Sequence, residues 1–420
     1  MNGNRCRVAI IGGGPSGLAL AAELAALGVD NVVVLERESV GGGIPRHCGH
    51  SPFGFREFHR MLSGPEYARR LVARAEHSAA VLRTGVTVTR IEAGCRLTLS
   101  TTDGSENLQA EKVVLCTGNR ETARAPRLVS GSRPPGITTT GALQSLVYLK
   151  QRQPFRRPII VGSELVSFSA LLTCRHAGIR PLAMIEERED VTAWRAAALL
   201  PRLLGTRLLL NTTLQAIHGQ ERVEAVDLRG RNGERMQLAC DGVIFSGKFV
   251  AESSLVKPSH LEMDAGSGGP RVDQFGRCSD SDYYACGNLL HPVDTAGWCW
   301  AEGRNLAANV AASLDGRLEP SQHELIIQSD SSAIRYLTPQ VIALPAGKSM
   351  HVVAARQRRL QIRLEHDSTG RLSLNDGQHE LSASHIRARR ERRVLLPLPS
   401  LEGLTNCQSL TLNFRPDGGR

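Results

Sequence analysis

The stretch that most constrains the fold is residues 8–36, where three glycines at G-x-G-x-x-G spacing separate an apolar run from an apolar helix. The run 8–11 predicts a buried parallel strand, and Gly12, Gly14 and Gly17 follow it. The next residues predict a helix that ends at Gly28 and leads into a second buried strand, with Glu36 at its end. This order of strand, glycine turn, helix, strand and acid indicates a βαβ unit that binds a dinucleotide.

Each of these residues has a physical task in such a unit. Gly12 makes the tight turn, Gly14 lets the backbone approach a pyrophosphate, and Gly17 lets the helix lie against the sheet. The helix N-terminus offers N–H groups and a positive dipole end to the phosphates, and Glu36 is placed to accept hydrogen bonds from a ribose. A signal peptide or membrane span is not expected, because Glu23 falls in the middle of the helix.

A second strand–glycine–helix–strand pattern begins at residues 158–162 and ends at Glu186. It keeps the first glycine, Gly162, but has Glu164 and Ser167 where the other motif glycines would stand. Glu164 would place a side chain and a negative charge where a pyrophosphate needs bare backbone. The pattern fits either a structural βαβ unit or an NAD(P) site that retains its ribose acid, and the substitutions favour the structural alternative.

The remaining patterns predict further strands and helices. Residues 97–102 and 107–110 alternate as a β-meander, and residues 112–116 form a separate buried strand. Helices are expected over 141–150 and 298–312, and short alternating strands follow residue 316.

Length and cysteine pattern narrow the class of protein. A chain of 420 residues with 41% hydrophobic content is long enough for two or three domains, and it has no apolar run of membrane-spanning length. Its 10 cysteines include no C-x-x-C pair and no iron–sulfur spacing. No metal site is therefore expected, and the thiols fit a reducing cytosol.

Positive charge is concentrated near the C-terminus. Residues 333–420 carry 14 Lys and Arg against 7 Asp and Glu, in a chain of net charge +10. The densest part holds Arg387, Arg389, Arg390, Arg392 and Arg393. A solvated face, an acidic protein partner and an anionic membrane surface all fit this charge, and we expect an acidic protein partner. Nucleic acid is not expected, because no nucleic-acid-binding motif accompanies the arginines.

The layout resembles the pyridine-nucleotide–disulfide oxidoreductase superfamily. Within it, the chain resembles bacterial FAD oxidoreductases associated with glycerol-3-phosphate catabolism, the α subunits of proline, hydroxyproline and opine dehydrogenases, and hydrogen cyanide synthase. The segments that carry this resemblance are 42–44 with Cys48 and His50, 53–55, 64–68, 133–137 and 285–288.

The resemblance implies an α/β fold in which an FAD-binding Rossmann-like domain is split around an inserted NAD(P)-type βαβ domain. The implied parts are 1–122 and 246–318 for the FAD domain, 123–245 for the NAD(P)-like domain, and 319–420 for a small β-rich basic region. The FAD positions that carry over are Gly12, Gly14, Pro15, Ser16, Gly17, Glu36, Arg37, Gly42, Gly43, Thr117, Gly118, Gly287, Asn288 and Ala296.

Several implied roles are specific. Gly42 and Gly43 would pass beside the pyrophosphate and flavin, and Asn288 stands where the family usually has an aspartate that holds the ribityl chain. The helix expected from residue 298 would aim its N-terminus at the flavin N1–O2 edge, where negative charge develops on reduction. Cys48 and His50 are the candidate catalytic residues. Because Cys48 lacks a nearby second cysteine, the sequence favours a packed thiol near the flavin over a nucleophile. His50 fits either proton transfer near the flavin or a loop position without a chemical role.

The implied function is FAD-dependent oxidation of a small organic substrate, of the amine, amino-acid or glycerol-3-phosphate class, by the flavin-bearing subunit of a heteromeric dehydrogenase. A partner redox subunit is expected. The chain itself is expected in the cytoplasm or peripherally on the inner face of the membrane. The alternatives are a stand-alone NAD(P)H-dependent flavin oxidoreductase and a scaffold that holds FAD without turnover.

Overall fold

The computed structural model describes residues 4–318, 320–345, 359–399, 404 and 407–418. Residues 346–358, in the predicted C-terminal region, lie outside this set. The helices are α1 (Pro15–Ala26), α2 (Phe55–Phe58), α3 (Gly64–Glu76), α4 (Thr140–Gln144), α5 (Leu165–His176), α6 (Leu199–Leu203) and α7 (Ala296–Leu314). Short 3₁₀ segments cover Ile44–His47, Ala125–Arg127, Arg195–Ala198 and Gly287–Leu289, and a π-helical turn covers Ser145–Leu149.

The strands of the two nucleotide-type regions are β1 (Arg5–Ile11), β2 (Val32–Glu36), β3 (Val81–Thr84), β4 (Thr87–Glu92), β5 (Arg96–Thr101), β6 (Gly104–Leu115), β7 (Asn119–Glu121), β8 (Ser130–Gly131), β9 (Ile137–Thr139), β10 (Pro158–Val161), β11 (Ala183–Ile185), β12 (Arg207–Leu209), β13 (Thr213–His218), β14 (Ala225–Arg229), β15 (Arg235–Ala239), β16 (Gly242–Phe245), β17 (Phe249–Ala251) and β18 (Tyr283–Ala285). The later strands are β19 (Ser321–Gln328), β20 (Ile334–Thr338), β21 (Val341–Pro345), β22 (Arg359–Leu364), β23 (Ser368–Asn375), β24 (Glu380–Ala388), β25 (Val394–Pro397) and β26 (Leu410–Pro416).

The chain divides into two compact units. The first unit comprises Met1–Gly43, Arg70–Asn119 and Ala251–Arg420, and the second comprises Ile44–Arg69 and Arg120–Val250. Each unit contains its own sheet with parallel strands in Rossmann-like order. This arrangement confirms the predicted α/β fold class.

The first unit is built on a seven-stranded sheet in the order β3-β2-β1-β6-β5-β4, with β18 also paired to β6. Strands β3, β2, β1, β6 and β18 pair in parallel, whereas β5 joins β4 and β6 antiparallel. In β1, Ala9 and Ile11 join the core on one face of the sheet, and Val8 and Ile10 join the core on the other. The strand is therefore buried on both faces, as its continuous apolar run predicts.

One sequence prediction in this sheet is wrong. The pattern predicts two strands over 107–110 and 112–116, but β6 is a single strand of 12 residues. Its first half pairs with β5 and its second half with β18, while β1 pairs alongside residues 109–115. Because β1 continues past the predicted break, its hydrogen bonds keep β6 extended through Glu111.

Helices α1 and α7 pack closely in the first unit. A Cβ on Gly303 in α7 would lie 2.1 Å from the carbonyl oxygen of Ser16 in α1. Only a residue without a side chain fits there. The start of α1 is consequently held against the middle of α7.

The C-terminal strands of the first unit form two further sheets, β21-β19-β26-β23-β24 and β20-β22-β25. Their buried residues make one shared core, which includes Leu325 and Leu412 of the first sheet and Leu360 and Leu396 of the second. The predicted alternating strands beyond residue 316 are confirmed within the described residues.

The second unit contains the parallel sheet β12-β11-β10-β16-β9 and the mainly antiparallel sheet β15-β14-β13-β8. The helix expected over 141–150 is present as α4, and it continues as the π-helical turn. Among the residues described in either unit, no helix is long and apolar enough to cross a bilayer.

Candidate functional site

The first glycine turn is built as the motif predicts. Gly12 has φ +113°, and a Cβ on it would lie 2.4 Å from the carbonyl oxygen of Cys116. A Cβ on Gly17 would lie 2.0 Å from the carbonyl oxygen of Gly12. These two glycines are therefore required by the fold itself, whether or not a ligand binds.

Gly14 is different. It is the N-cap of α1 in extended conformation, with Pro15 as the first helical residue, and a Cβ on it would meet nothing closer than the Cα of Gly43 at 4.0 Å. The space in front of this helix N-terminus is open, and no side chain caps it. A helix N-terminus with no side chain in front of it is suited to bind a pyrophosphate.

Glu36 ends β2 with its carboxylate buried beside the turn. Its Oε2 accepts a hydrogen bond from the N–H of Gly13 at 2.8 Å, and its Oε1 accepts from the N–H of Glu38 at 2.9 Å. The carboxylate is thus fixed at the position predicted for a ribose acid. Arg37, the next residue, is exposed.

Gly42 and Gly43 close the turn from the other side. The N–H of Gly42 donates to the carbonyl oxygen of Gly13 at 2.7 Å, and a Cβ on Gly43 would lie 2.9 Å from the Cα of Gly14. The two glycine segments therefore pack backbone against backbone.

Thr117 and Gly118 follow β6, next to the turn. The hydroxyl of Thr117 donates to the carbonyl oxygen of Glu252 at 2.7 Å, and the N–H of Glu252 donates back to Gly118 at 2.9 Å. Gly118 has φ +75° with open space around it. These bonds tie two of the three chain segments of the first unit, Arg70–Asn119 and Ala251–Arg420, together at the predicted junction.

Gly287 and Asn288 lie where β18 ends. A Cβ on Gly287 would lie 2.7 Å from the Oγ of Ser16, so this segment also touches the start of α1. The side chain of Asn288 donates to the carbonyl oxygen of Asp294 at 2.9 Å and accepts from its N–H at 3.0 Å. Asn288 thereby fixes the loop that precedes α7.

Helix α7 starts earlier than the sequence predicts, at Ala296 rather than residue 298, because Thr295 supplies an extended N-cap. The predicted FAD positions all fall in the first unit. The site residues that sequence reasoning missed are Asp294 and the groups that hold it. Asp294 lies in no motif, and its partners are distant in sequence.

Those partners come from the C-terminal sheets. Arg363 and Arg393 each form an ion pair with the carboxylate of Asp294, and Gln361 donates to its Oδ2 at 3.2 Å. The guanidinium of Arg393 also lies over the ring of Trp298, 4.0 Å from its centroid. Burial would raise the pKa of Asp294, but His291, Arg363 and Arg393 outweigh it and lower that pKa.

This contact corrects the prediction for the C-terminal arginines. The sequence places Arg393 on a surface that binds a partner, but its side chain is engaged inside the first unit. Arg390 is half-buried, whereas Arg387, Arg389 and Arg392 are exposed. The reason is that the chain turns at residues 389–392, between β24 and β25, and directs Arg393 inward.

The second glycine turn has the same backbone and different contents. Gly162 has φ +120°, and Glu164 is the extended N-cap of α5. The Glu164 carboxylate folds back into the turn, so a Cβ on Gly162 would lie 2.6 Å from its Oε2 and a Cβ on Gly247 would lie 2.3 Å from its Oε1. The carboxylate also accepts from the hydroxyl of Ser167 at 3.2 Å. It fills the space that is open at Gly14.

The ribose acid of this unit is also engaged. Glu186 is buried, its Oε2 accepts from the hydroxyl of Ser163, and its Oε1 accepts from the N–H of Arg188 at 3.1 Å. A further carboxylate, Glu121, accepts from the N–H groups of Gly141 at 2.7 Å and Gly247 at 3.1 Å. Burial raises the pKa of Glu121 despite these bonds.

Cys48 and His50 lie in the second unit. The thiol of Cys48 is buried and lies 3.4 Å from the Oε1 of Gln144, and burial raises its pKa to about 12. The Nε2 of His50 lies 2.5 Å from the Oγ of Ser169, and burial lowers its pKa. Cys48 is thus held as a neutral thiol, and His50 is held against α5.

Comparisons with known proteins agree with this architecture. A model of the pyridine nucleotide-disulphide oxidoreductase family matches residues 6–311. An opine oxidase subunit of Rhizobium meliloti (strain 1021) is 24% identical over 265 residues, which are 61% of this chain and 56% of that protein. The chain therefore matches little more than half the length of this curated relative.

Two solved structures show the same fold. The thioredoxin reductase of T. acidophilum superposes with a TM-score of 0.62 at 21% identity, over 74% of this chain and 99% of that one. The L-proline dehydrogenase of P. horikoshii superposes with a TM-score of 0.56 at 18% identity, over 75% of this chain and 58% of that one.

Proposed function

The chain belongs to the pyridine nucleotide-disulphide oxidoreductase family, and on that premise we propose that it is the flavin-bearing subunit of a heteromeric dehydrogenase. It is an FAD-dependent oxidoreductase by family. The substrate class in this proposal is a small amine, amino acid or glycerol-3-phosphate. Bound FAD would supply the hydride and electron transfer, and the chain would supply binding, orientation and electrostatics.

The first unit carries the FAD-binding part of the proposal. Gly14 and the N-terminus of α1 would receive the pyrophosphate, because Gly14 has no side chain and no other side chain caps the helix. Glu36 would bind the adenosine ribose through carboxylate lone pairs that Gly13 and Glu38 leave free. Asn288 and the N-terminus of α7 would face the ribityl chain and the pyrimidine edge of the flavin.

One observation carries the choice of function: the Glu164 carboxylate occupies the second glycine turn. A dinucleotide would have to displace this buried side chain and bring its own negative pyrophosphate to the same place. NADH and NADPH are therefore poor electron donors in this proposal, and electrons come from an organic substrate. The likeness to a protein named as one subunit of an opine oxidase supports a role beside other subunits.

The roles of individual residues remain part of the proposal. Cys48 is assigned as a packed thiol, because its raised pKa keeps the nucleophilic thiolate scarce. His50 is assigned to proton transfer through its hydrogen bond to Ser169.

The proposed domains keep the boundaries expected from the sequence. They are an FAD domain in two segments, 1–122 and 246–318, an NAD(P)-like domain, 123–245, and a C-terminal region, 319–420.

The test is anaerobic reduction of the purified flavoprotein, followed at the flavin absorption band. We expect slow or no bleaching with micromolar NADH or NADPH, and bleaching by opines, proline or glycerol-3-phosphate when the co-expressed partner subunit is present. Rapid stoichiometric bleaching by NADH without any partner would replace the proposal with a stand-alone NAD(P)H-dependent oxidoreductase. Glu186 favours that second candidate, since a buried acid ends β11 as Glu36 ends β2. A protein that no donor reduces would be a scaffold.

A further inference from the structure

We propose that Arg363 and Arg393, which lie beyond the family-matched residues 6–311, are positioning residues for the flavin and set the charge at the beginning of α7. The inference rests on the proposed function, which puts the pyrimidine edge of the flavin at that helix N-terminus. The C-terminal sheets then belong to the redox site, in addition to any role in assembly.

Asp294 is joined to both Asn288 and the start of α7. It directly precedes Thr295, the N-cap of α7, and both polar atoms of the Asn288 side chain hold its backbone. Its side chain is only 5% exposed. A displacement of Asp294 would therefore move both Asn288 and the helix beginning.

The two arginines that pair with Asp294 come from the C-terminal strands. Arg363 projects from β22, is 3% exposed, and donates from its Nε to the hydroxyl oxygen of Tyr336 at 3.3 Å. Arg393 stands just before β25, is 17% exposed, and lies across the Trp298 ring. Two strands of the three-stranded C-terminal sheet thus deliver the two guanidinium groups to one carboxylate.

The charges around Asp294 bear on the reduction of the flavin. An ionised Asp294 alone would place a negative charge beside the helix N-terminus and oppose the negative charge that reduction brings to the flavin. The two guanidinium groups add two positive charges beside this carboxylate, in a buried place where screening by water is weak. The pair should therefore stabilise the reduced cofactor relative to the oxidised one.

The contact between the Arg393 guanidinium and the Trp298 ring favours arginine at this position. Trp298 lies on the first turn of α7, and Arg393 covers its face. Arginine suits this place better than lysine, because a planar guanidinium can stack on an indole and pair with a carboxylate together. Arg393 is hence the more informative residue to change, and it is also less buried than Arg363.

The experiment measures the flavin midpoint potential of the FAD-loaded full chain by dye equilibration. Arg393→Met should lower the reduced-to-oxidised equilibrium constant about tenfold, which is about 30 mV for a two-electron couple. Asp294→Asn should shift the potential in the opposite direction, because it removes the negative charge. Arg393→Lys should keep most of the wild-type potential, and Arg389→Met, at an exposed position beside the same strands, serves as the matched control.

The outcomes separate the two levels of inference. Opposite shifts for Arg393→Met and Asp294→Asn, with FAD retained, support the positioning role. An unchanged potential in Arg393→Met, or shifts of the same sign in both variants, would overturn it. If Arg393→Met fails to fold, Asp294→Asn decides: a raised potential with FAD retained supports the proposal, and an unchanged or lowered potential overturns it. A wild-type protein without flavin would overturn the proposed function instead.

Discussion

The two βαβ units share an extended backbone at their helix N-caps. The space in front of the cap is open in the first unit, and a carboxylate fills it in the second. Gly14 caps α1 at φ −85° and ψ −173°, and Glu164 caps α5 at φ −70° and ψ 170°. Both conformations are extended, so neither position requires glycine. Gly12 and Gly162, by contrast, both have φ above +110°. The first glycine of the motif is therefore required by the backbone, whereas the second is not, which fits the ligand role proposed for Gly14.

The acids at the strand ends extend this comparison. Glu36 and Glu186 are both buried, and each accepts two hydrogen bonds from its own unit. In the first unit the N–H of Gly13 is a donor, and in the second the hydroxyl of Ser163 takes that place. An acid with such partners stabilises its own unit whether or not a nucleotide binds there. Glu186 alone is thus weaker evidence for NAD(P) than an open cap would be.

The largest expected effect comes from giving the first unit the cap of the second. Gly14→Glu should abolish FAD binding, because a carboxylate would occupy the pyrophosphate position, and flavin content should fall from about one per chain to nearly none. The measurement is flavin absorbance after denaturation, normalised to protein.

The fold should survive this change, since the nearest atom to a Cβ at Gly14 is 4.0 Å away. Circular dichroism of Gly14→Glu serves as the control for folding, and Gly14→Ala should retain part of the flavin. Full flavin occupancy in a folded Gly14→Glu protein would disprove the FAD assignment.

The second effect comes from the reverse exchange. Glu164→Gly should open the second turn and raise the rate of flavin bleaching by NADH at least tenfold, roughly 1.4 kcal/mol in barrier. The measurement is anaerobic stopped-flow at the flavin band. Glu164→Gln keeps the bulk without the charge, so it separates steric from electrostatic blockage. Equal rates in wild type and Glu164→Gly would show that something other than the cap disables the second unit.

The smallest effect is expected for Cys48 in the second unit. Changing it tests whether this thiol takes part in the reaction. Cys48→Ser should leave substrate-driven flavin reduction within about tenfold of wild type, because the thiol is buried and protonated. With a pKa of about 12, its thiolate fraction at pH 8 is on the order of 10⁻⁴. Alkylation of Cys48 by iodoacetamide should be slow at pH 8 and accelerate as pH rises. Fast alkylation at pH 7, or a loss of several orders of magnitude in Cys48→Ser, would contradict this.

Sequence reasoning reaches most of the first unit for a clear physical reason. The strand 8–11, Gly12, Gly17 and Glu36 are local features, and their spacing alone dictates the turn. The effect of Glu164 is also predictable, because any side chain at that cap must enter the phosphate space. Its hydrogen bond from Ser167 is not, since rotamers depend on neighbours that spacing does not specify.

The site around Asp294 shows where such reasoning ends. Asp294 and Arg393 are 99 residues apart, and no periodicity connects them. The arginine cluster at 387–393 is evident from the sequence as dense charge, but its composition does not say which member points inward. That choice depends on the turn between β24 and β25, whose direction is set by tertiary packing. Long-range ion pairs of this kind require the structure.

The extended conformation shared by the two helix caps has an evolutionary consequence. Codons for glycine and glutamate differ by a single base, and the backbone at the cap accepts either residue without rearrangement. If the two caps have the roles proposed above, one point mutation would exchange an open cap for a filled one, and the extended backbone would stay the same.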